Sequence, residues 1–174
     1  MSDIERIKEI IRNIPDFPQP GIIFRDITPL LGDGELFARA LDLMLEGYGK
    51  ASVDAIAGVE ARGFIFGAAA AAKLGLPFIP VRKPGKLPWK TFEESYDLEY
   101  GKNVVTIHQD ACKAGQRILL VDDLLATGGT AAASMSLIRK CGATPIGCSF
   151  LVELDFLKGR TKLEGIPVRA LLHF

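Results

Sequence analysis

Two adjacent carboxylates and a glycine- and threonine-rich turn are the residues of this chain whose types and spacing suggest ligand binding. Asp122 and Asp123 follow an apolar run, residues 117–121, and the turn that comes next reads ATGGT, residues 126–130. Backbone N–H groups at the start of a helix bind anions, and the helix dipole favours a negative charge there. The turn therefore predicts a phosphate site.

The carboxylates must bind a different part of the ligand, because two like charges about 4 Å apart repel by roughly 4 kcal/mol at an effective dielectric of 20. They favour hydroxyl groups or a cation. A ribose 5-phosphate carries vicinal hydroxyls at one end and a phosphate at the other, so it satisfies both demands. We predict that Asp122 and Asp123 bind the ribose. The predicted phosphate-binding residues are Ala126, Thr127, Gly128, Gly129 and Thr130.

Two other nucleotide-binding motifs do not fit the sequence. The turn lacks the lysine of a P-loop, and no GxGxxG follows a predicted strand, which disfavours a dinucleotide fold of the usual kind. The alternative without function is an acidic strand end beside an ordinary glycine turn. The combination of two acids, a TGGT turn and a following helix favours the ribose-phosphate site.

Length and composition predict one globular domain and argue against several classes of partner. The chain has 174 residues, 48% of them hydrophobic, and a formal net charge of zero. No global basic field is present to attract nucleic acid or an anionic membrane, so an anion site must be local. No apolar stretch approaches the roughly 18 residues of a membrane span, and the amino end lacks the apolar region of a signal peptide. Three cysteines without CxxC spacing indicate reduced thiols and a cytoplasmic protein.

The elements that position the motif are short apolar strands alternating with helices. We predict strands over 55–59, 77–81, 103–108, 117–121, 145–152 and 168–172, with helices over 63–74 and 130–141. Continuous apolar strands interleaved with helices favour an α/β fold, a mostly parallel twisted sheet with helices on both faces. Ligands of such sheets bind beyond the carboxyl ends of the strands, where the two aspartates are expected.

Two segments lie outside this alternation. Residues 1–32 are predicted to form an N-terminal hood, in which a helix begins at a capping box and continues its apolar face to Ile14. A second amphipathic helix is predicted over 36–48, with Asp33 as its N-cap. Residues 82–101 are too long for an ordinary connection and too polar for a core, so they predict an irregular, flexible lid loop.

The stretch 121–130 resembles the phosphoribosyl-pyrophosphate motif of the type I phosphoribosyltransferases. Four further blocks are similar to the successive signatures of the adenine phosphoribosyltransferase family and stand in the same order: PGIIFRDITPLL (20–31), EARGFIFG (60–67), VRKPGKLP (81–88) and SYDLEYG (95–101). The resemblance implies a type I phosphoribosyltransferase fold in a single domain, residues 1–174. It also implies that the 5-phosphoribosyl group of phosphoribosyl pyrophosphate is transferred to adenine, giving AMP and pyrophosphate.

The resemblance assigns the pyrophosphate to two basic segments. Arg62 would neutralise the leaving group and so take part in catalysis, and Mg2+ carried by phosphoribosyl pyrophosphate would bridge pyrophosphate and ribose oxygens. The family also tends to have a non-proline cis peptide here, which would fall between Glu60 and Ala61. Without the phosphate turn, these charges would be read as a helix-start surface charge and a solvated turn. The implied pyrophosphate-binding residues are Glu60, Ala61, Arg62, Arg82, Lys83 and Lys86.

The base and the lid are assigned in the same way. Glu99 would transfer a proton at a purine nitrogen or hold the reactive tautomer, and Tyr100 would help the lid exclude water. Phe24 would stack on adenine, Ile23 would read its exocyclic amine through the backbone, and Arg25 would reach the base edge or the loop. The alternative is that Ile22, Ile23 and Phe24 anchor the amino-terminal segment to the core.

The family usually forms homodimers, so we expect one here, with the EARGF and VRKPGK regions near the interface. The expected ligands are adenine, phosphoribosyl pyrophosphate and AMP, with no nucleic acid and no membrane as partner. Two rivals stay open: a type I enzyme for hypoxanthine or xanthine, and a phosphoribosyl-pyrophosphate-sensing regulator without catalysis. Neutral charge, a short chain and the presence of Glu99 argue against the regulator.

Overall fold

The computed structural model describes residues 1–97 and 101–174. Two compact units follow one another along the chain, Met1–Leu43 and Met44–Phe174. Among the described residues, no helix has the length and apolar character needed to cross a bilayer.

The first unit contains two short strands between helices. Its elements are α1 (Asp3–Ile10), β1 (Arg12–Pro15), β2 (Ile23–Asp26), α2 (Thr28–Gly32) and α3 (Gly34–Met44), which ends at the unit boundary. The capping box is confirmed at the start of α1, and the Leu36 N–H donates to Asp33 Oδ1 at 3.0 Å, as expected of an N-cap. The extension of α1 to Ile14 is wrong. Ile14 lies in β1 opposite Phe24, because backbone pairing with β2 replaces the helix at that point.

The second unit is built on a five-stranded parallel sheet, which confirms the predicted α/β class. The strand order is β4-β3-β7-β8-β9, all pairs are parallel, and helices flank the sheet. Its elements are β3 (Ala55–Val59), α4 (Gly63–Leu74), β4 (Phe78–Val81), β7 (Arg117–Leu125), α5 (Gly129–Lys140), β8 (Thr144–Glu153) and β9 (Val168–His173). β3 is buried along its whole length, as a central parallel strand covered on both faces must be.

The segment predicted as an irregular lid contains a strand, so that part of the prediction is wrong. β5 (Thr91–Asp97) pairs antiparallel with β6 (Lys102–His108) in a separate two-stranded sheet. The apolar strand expected over 103–108 therefore exists, but outside the parallel sheet. The polar composition of β5 concealed its alternation: Phe92 and Tyr96 pack against the core, while the residues between them face outward or are only partly covered.

The strand that leads to the two aspartates is longer than predicted. β7 continues to Leu125 rather than ending at Val121, because β8 continues beside it and pairs Asp122 with Phe150 and Leu125 with Glu153. The aspartates therefore belong to the strand itself. A strand that ends at Leu125 places the turn 126–130 directly between β7 and α5.

Candidate active site

The two sequence motifs meet at the point where the order of strands in the sheet reverses. From β3 the chain passes through α4 to β4 on one side, whereas β7 pairs with β3 on the other side. In open parallel sheets a crevice forms beyond the carboxyl ends of two strands related in this way, and ligands bind there. The turn after β3, residues 60–62, and the aspartates of β7 both lie at this crevice.

An ion pair joins the two sides of the crevice. Arg62 Nε lies 2.8 Å from Asp123 Oδ2, and Asp123 is 7% exposed. The peptide between Glu60 and Ala61 is cis, as the resemblance implies. α4 then begins at Gly63, where a Cβ atom would collide with a carboxylate oxygen of Asp122. Only glycine lets the first turn of α4 approach β7 this closely.

The carboxyl group of Asp122 has an unusual environment. Burial raises its pKa above the ordinary aspartate value, and the neighbouring charge of Asp123 raises it further. Asp122 Oδ1 also accepts the backbone N–H of Asp123 at 2.9 Å. A carboxyl group in this position can accept hydrogen bonds from ligand hydroxyls. Hydroxyl groups are neutral, so this interaction needs no cation on the ligand.

The turn 126–130 forms a small concave site at the amino end of α5. A cavity of about 80 Å³ is lined by this turn together with Asp122, Leu124 and Phe150. Gly128 has φ +80° and caps α5, a conformation that glycine adopts without strain. The first N–H groups of a helix have no partner within the helix, so they are available to an anion in the concavity.

A second cavity, of about 290 Å³, lies between this turn and the basic segment after β4. Its polar lining includes Glu60, Arg82, Lys83, Tyr96 and Thr130. The Thr130 hydroxyl donates to Tyr96 Oη at 2.7 Å. The Tyr96 ring lies so close to Gly129 that a Cβ atom there would overlap it.

Glu60 organises the basic side of this cavity. Arg82 Nη2 lies 3.0 Å from Glu60 Oε2, and the Lys83 N–H donates to Glu60 Oε1 at 2.5 Å. Burial alone would raise the pKa of Glu60, but the bonds from Lys83 and Arg82 and the charge of Arg82 outweigh it, so the pKa is lowered. Arg82 also donates to the Lys86 carbonyl at 3.2 Å, which fixes the guanidinium at the cavity wall.

The chain is similar to known phosphoribosyltransferases over nearly its whole length. Residues 34–166 match the family model described as the phosphoribosyl transferase domain. An adenine phosphoribosyltransferase of Desulfitobacterium hafniense is 55% identical over 94% of this chain and 95% of its own, and one of Syntrophotalea carbinolica is 53% identical over 98% and 100%. A crystal structure of the Thermoanaerobacter pseudethanolicus enzyme superposes with a TM-score of 0.95 at 49% identity, covering 98% of this chain and 99% of that one.

The chain belongs to the adenine phosphoribosyltransferase family.

Within this family member, the structure brings most of the predicted phosphate and pyrophosphate residues to one crevice. Arg62 meets Asp123, and Glu60 meets Arg82 and Lys83 on the wall of the larger cavity. Lys86 is not among the residues that line this cavity, but its carbonyl accepts a hydrogen bond from Arg82, and its charge helps to lower the pKa of Glu60. The roles of these residues stay predictions.

The predicted adenine-binding residues occupy β2 in the first unit. Phe24 packs edge-to-face with Phe17, with ring centroids 5.2 Å apart, and Ile23 is exposed. Arg25 donates through Nη1 to Asn13 Oδ1 on the paired strand. Exposure of Ile23 argues against its being a core anchor. Glu99 and Tyr100 lie outside the described residues.

Tyr96 is the site residue that sequence reasoning missed. It lies within the SYDLEYG block, where only Glu99 and Tyr100 were assigned roles. The alternation of Phe92, Glu94 and Tyr96 along 91–97 is the signal that could have placed Tyr96 on the face towards α5.

Proposed function

We infer that this chain transfers the 5-phosphoribosyl group from phosphoribosyl pyrophosphate to adenine, producing AMP and pyrophosphate in adenine salvage. The observation that carries this conclusion is identity of 51–55% to eight curated adenine phosphoribosyltransferases, over 94–99% of the chain. A Saccharomyces cerevisiae relative, 40% identical with a TM-score of 0.92, is described as a complex with adenine. Its fold is the fold of this chain.

The reaction is a substitution at the anomeric carbon of the ribose. The bond from that carbon to a pyrophosphate oxygen breaks, a bond to a ring nitrogen of adenine forms, and the nitrogen loses its proton. Positive charge develops on the sugar while negative charge accumulates on the leaving group. The protein must therefore hold the phosphate end rigidly, neutralise the leaving group and exclude water.

The ribose and its 5-phosphate bind along β7 and the turn after it. Asp122 and Asp123 accept hydrogen bonds from the ribose hydroxyls. The backbone N–H groups of residues 126–130 and the hydroxyls of Thr127 and Thr130 donate to the phosphate. The 80 Å³ concavity and the position of α5 behind it support this assignment.

The pyrophosphate binds between the turn 60–62 and the basic segment of Arg82, Lys83 and Lys86. Arg62 and Arg82 stabilise the charge that develops as the pyrophosphate leaves. Each guanidinium is held by a carboxylate, Asp123 for Arg62 and Glu60 for Arg82. This arrangement fixes both cations before the substrate arrives, so their alignment requires little reorganisation during the reaction.

Mg2+ accompanies the substrate. This cation takes oxygen ligands and keeps several waters, and it is usually bound by one or two carboxylates together with substrate phosphates. Asp122 offers carboxylate oxygens at the crevice, while Asp123 is engaged by Arg62. Asp122 is therefore the carboxylate of this pair that would be available to an ion carried by the substrate. When bound, magnesium neutralises charge on the leaving group.

Adenine binds at Ile23, Phe24 and Arg25, and Glu99 manages the proton on its ring nitrogen. Tyr100 helps close residues 82–101 over the reacting atoms, while residues 1–32 supply the base-binding segment of a single domain, residues 1–174. β5 occupies residues 91–97 of this segment, so that part of it is a paired strand and not an unstructured loop.

We also place the protein in the cytoplasm as a homodimer. Its three cysteines are free, and Cys112 and Cys148 are buried, which suits a reducing compartment. Sedimentation at micromolar concentration distinguishes a dimer of two 18.8 kDa chains from a monomer.

Turnover of adenine, hypoxanthine and guanine, each with phosphoribosyl pyrophosphate and Mg2+, tests the proposed function. We expect AMP from adenine and at least a hundredfold lower kcat/KM with either oxo-purine, because unpaired buried polar groups penalise the wrong exocyclic group. Preference for an oxo-purine would establish the enzymatic rival. Binding of phosphoribosyl pyrophosphate without turnover of any base would establish the regulator.

A further inference from the structure

A backbone segment far along the chain lies directly against the phosphate-binding turn. This segment, Asp155–Leu163, consists of two 3₁₀ turns between β8 and β9 and is here called the 3₁₀ segment. A Cβ atom on Gly159 would collide with the carbonyl oxygen of Ala126, and one on Gly128 would collide with the carbonyl oxygen of Gly159. The two backbones are therefore in contact, with no side chain between them.

A guanidinium holds Gly159 in this position. Arg160 Nε lies 2.8 Å from both carboxylate oxygens of Glu153, and Nη2 lies 2.6 Å from Oε2. Arg160 Nη1 also donates to the carbonyl oxygen of Val168 at 2.8 Å. Arg160 is thus tied to the ends of two strands, β8 and β9, and cannot shift without breaking both connections.

The anchor of this contact belongs to the strand beside the phosphate-binding turn. Glu153 is 3% exposed and pairs with Leu125, the last residue of β7. The turn begins at the next residue and returns to contact Gly159. A closed loop of covalent bonds, hydrogen bonds and backbone contact therefore surrounds the base of the turn. Its members, in order, are Leu125, Gly128, Gly159, Arg160 and Glu153.

Asp155 and His173 lie beside Glu153, but the three side chains do not form a metal site. His173 Nδ1 lies 2.9 Å from Asp155 Oδ1 and 3.8 Å from Glu153 Oε2, so the three side chains have the spacing of a metal site. Arg160 already occupies both oxygens of Glu153, however, and a guanidinium excludes a second cation from the same carboxylate. The cluster is an ion-pair network that fixes the 3₁₀ segment.

We propose that Arg160 is a positioning residue for phosphoribosyl pyrophosphate, acting through Gly159 on the phosphate-binding turn, with Glu153 as its anchor. The proposal rests on the proposed function, because it takes ribose phosphate as the ligand of that turn. Donors displaced by about 1 Å lose a large part of their effect on a bound anion. Loss of Arg160 lets the 3₁₀ segment move away, and the backbone N–H groups of the turn then lose their common focus.

Arg160→Met tests the proposal, because methionine keeps much of the apolar stem and removes the charge and all its donors. Arg117→Met is the matched control. Arg117 bonds Asp54 through Nε at 3.0 Å and Nη2 at 2.9 Å and donates to the Ala51 carbonyl at 2.7 Å, the same pattern at the amino end of β7. Both variants lose an arginine held by a carboxylate and a carbonyl. Only Arg160 adjoins a residue, Gly159, that contacts the phosphate-binding turn.

The readouts are the affinity for ribose 5-phosphate by calorimetry, the KM values for both substrates and the midpoint of thermal unfolding. In Arg160→Met we expect the Kd for ribose 5-phosphate and the KM for phosphoribosyl pyrophosphate to rise about tenfold or more, and the KM for adenine to change less than twofold. Arg160→Lys should recover part of the loss, whereas Arg117→Met should lower the unfolding midpoint and leave ribose 5-phosphate affinity unchanged.

Ribose 5-phosphate affinity in a folded Arg160→Met protein equal to wild type overturns the proposal. Equal losses of affinity in Arg160→Met and Arg117→Met overturn it as well, because they indicate general destabilisation. If Arg160→Met does not fold, Gly159→Ala and Arg160→Lys test the proposal instead. Ribose 5-phosphate affinity unchanged in both variants then refutes it. If wild-type protein binds ribose 5-phosphate but fails to convert adenine, the proposed function is wrong. The comparison of ribose 5-phosphate affinity between the variants still tests the positioning role of Arg160.

Discussion

Removing the guanidinium of Arg62 separates its contribution to stability from its proposed role in catalysis. In Arg62→Met, Asp123 keeps its buried position but loses a partner 2.8 Å away. Breaking a buried ion pair by removing one member costs about 3–5 kcal/mol. The Arg62 side chain is 36% exposed, so solvent screens part of that interaction, and we expect a loss of about 2 kcal/mol. For a domain of this size that corresponds to a fall of roughly 4–8 °C in the unfolding midpoint.

The destabilisation should depend on pH in a defined direction. The pKa of Asp122 is raised by burial and by the charge of Asp123, and Arg62 opposes that rise. Removing Arg62 therefore raises the pKa of Asp122 further. A carboxyl group whose pKa is higher in the folded than in the unfolded state favours folding below its unfolded pKa, and this effect is lost as the pH rises through its folded pKa. The loss of stability in Arg62→Met should thus be smaller near pH 5 than near pH 8.

Urea unfolding of wild type and Arg62→Met at both pH values measures the loss of stability. Turnover under saturating substrate measures the contribution of Arg62 to catalysis. Arg169→Met is the matched control, since Arg169 is similarly exposed but pairs with Glu46, which is 68% exposed. We expect that control to lose less than about 1 kcal/mol at either pH. Adding Asp123→Asn to Arg62→Met should restore part of the stability without restoring turnover. Equal stability of Arg62→Met and wild type near pH 8 would refute the electrostatic account of this crevice.

Three further predictions address other parts of the site and the sheet. Tyr96→Phe should strengthen ribose 5-phosphate binding about fivefold. The Thr130 hydroxyl then no longer donates to Tyr96 and is available to the phosphate, and a neutral hydrogen bond contributes about 1 kcal/mol net. Weaker binding in calorimetry contradicts the assignment of Thr130 to the phosphate. Hydrogen bonds from Arg117 lower the pKa of Asp54 from 3.8 to about 2, so the stabilisation they give is lost as the pH falls from about 4 to about 2. Asp54→Asn should flatten the pH dependence of the urea midpoint in that range. An unchanged slope contradicts the assignment of this pH dependence to Asp54. Glu99→Ala should lower kcat at least a hundredfold while ribose 5-phosphate affinity stays within twofold of wild type, and full turnover in a steady-state assay removes Glu99 from catalysis.

The phosphate-binding turn was predictable because its signals are local. An apolar strand, two carboxylates, glycines that permit positive φ and a following helix lie within about 25 residues, and each has one simple physical meaning. The same is true of α4, which the structure ends at Leu74 with Gly75 in the left-handed conformation, as its sequence predicts. Strong local patterns of this kind specify elements without reference to the rest of the fold.

The errors arose where distant partners decide the structure. Asp122 and Asp123 are poor strand formers, yet β7 continues through them because β8 pairs with it as far as Glu153. Ile14 fits a helical face but pairs with β2, and the polar stretch 91–97 becomes a strand because β6 pairs with it over seven residues. The contact of Gly159 with the turn joins residues more than 30 positions apart, and no periodicity in the sequence marks it.

The balance of charge in the crevice gives a physical reason for a metal-loaded substrate. Arg62 is neutralised largely by Asp123, and Arg82 by Glu60, so the two guanidinium groups present little net positive charge to an approaching pyrophosphate. Asp122 adds a further carboxyl group on the same side. A bare pyrophosphate would meet carboxylates at close range, and like charges about 4 Å apart repel by roughly 4 kcal/mol under partial screening. Mg2+ bound with the pyrophosphate would remove this repulsion, so we expect phosphoribosyl pyrophosphate to bind at least tenfold more weakly in EDTA than in magnesium. Ribose 5-phosphate carries no pyrophosphate, so its affinity should not show this difference.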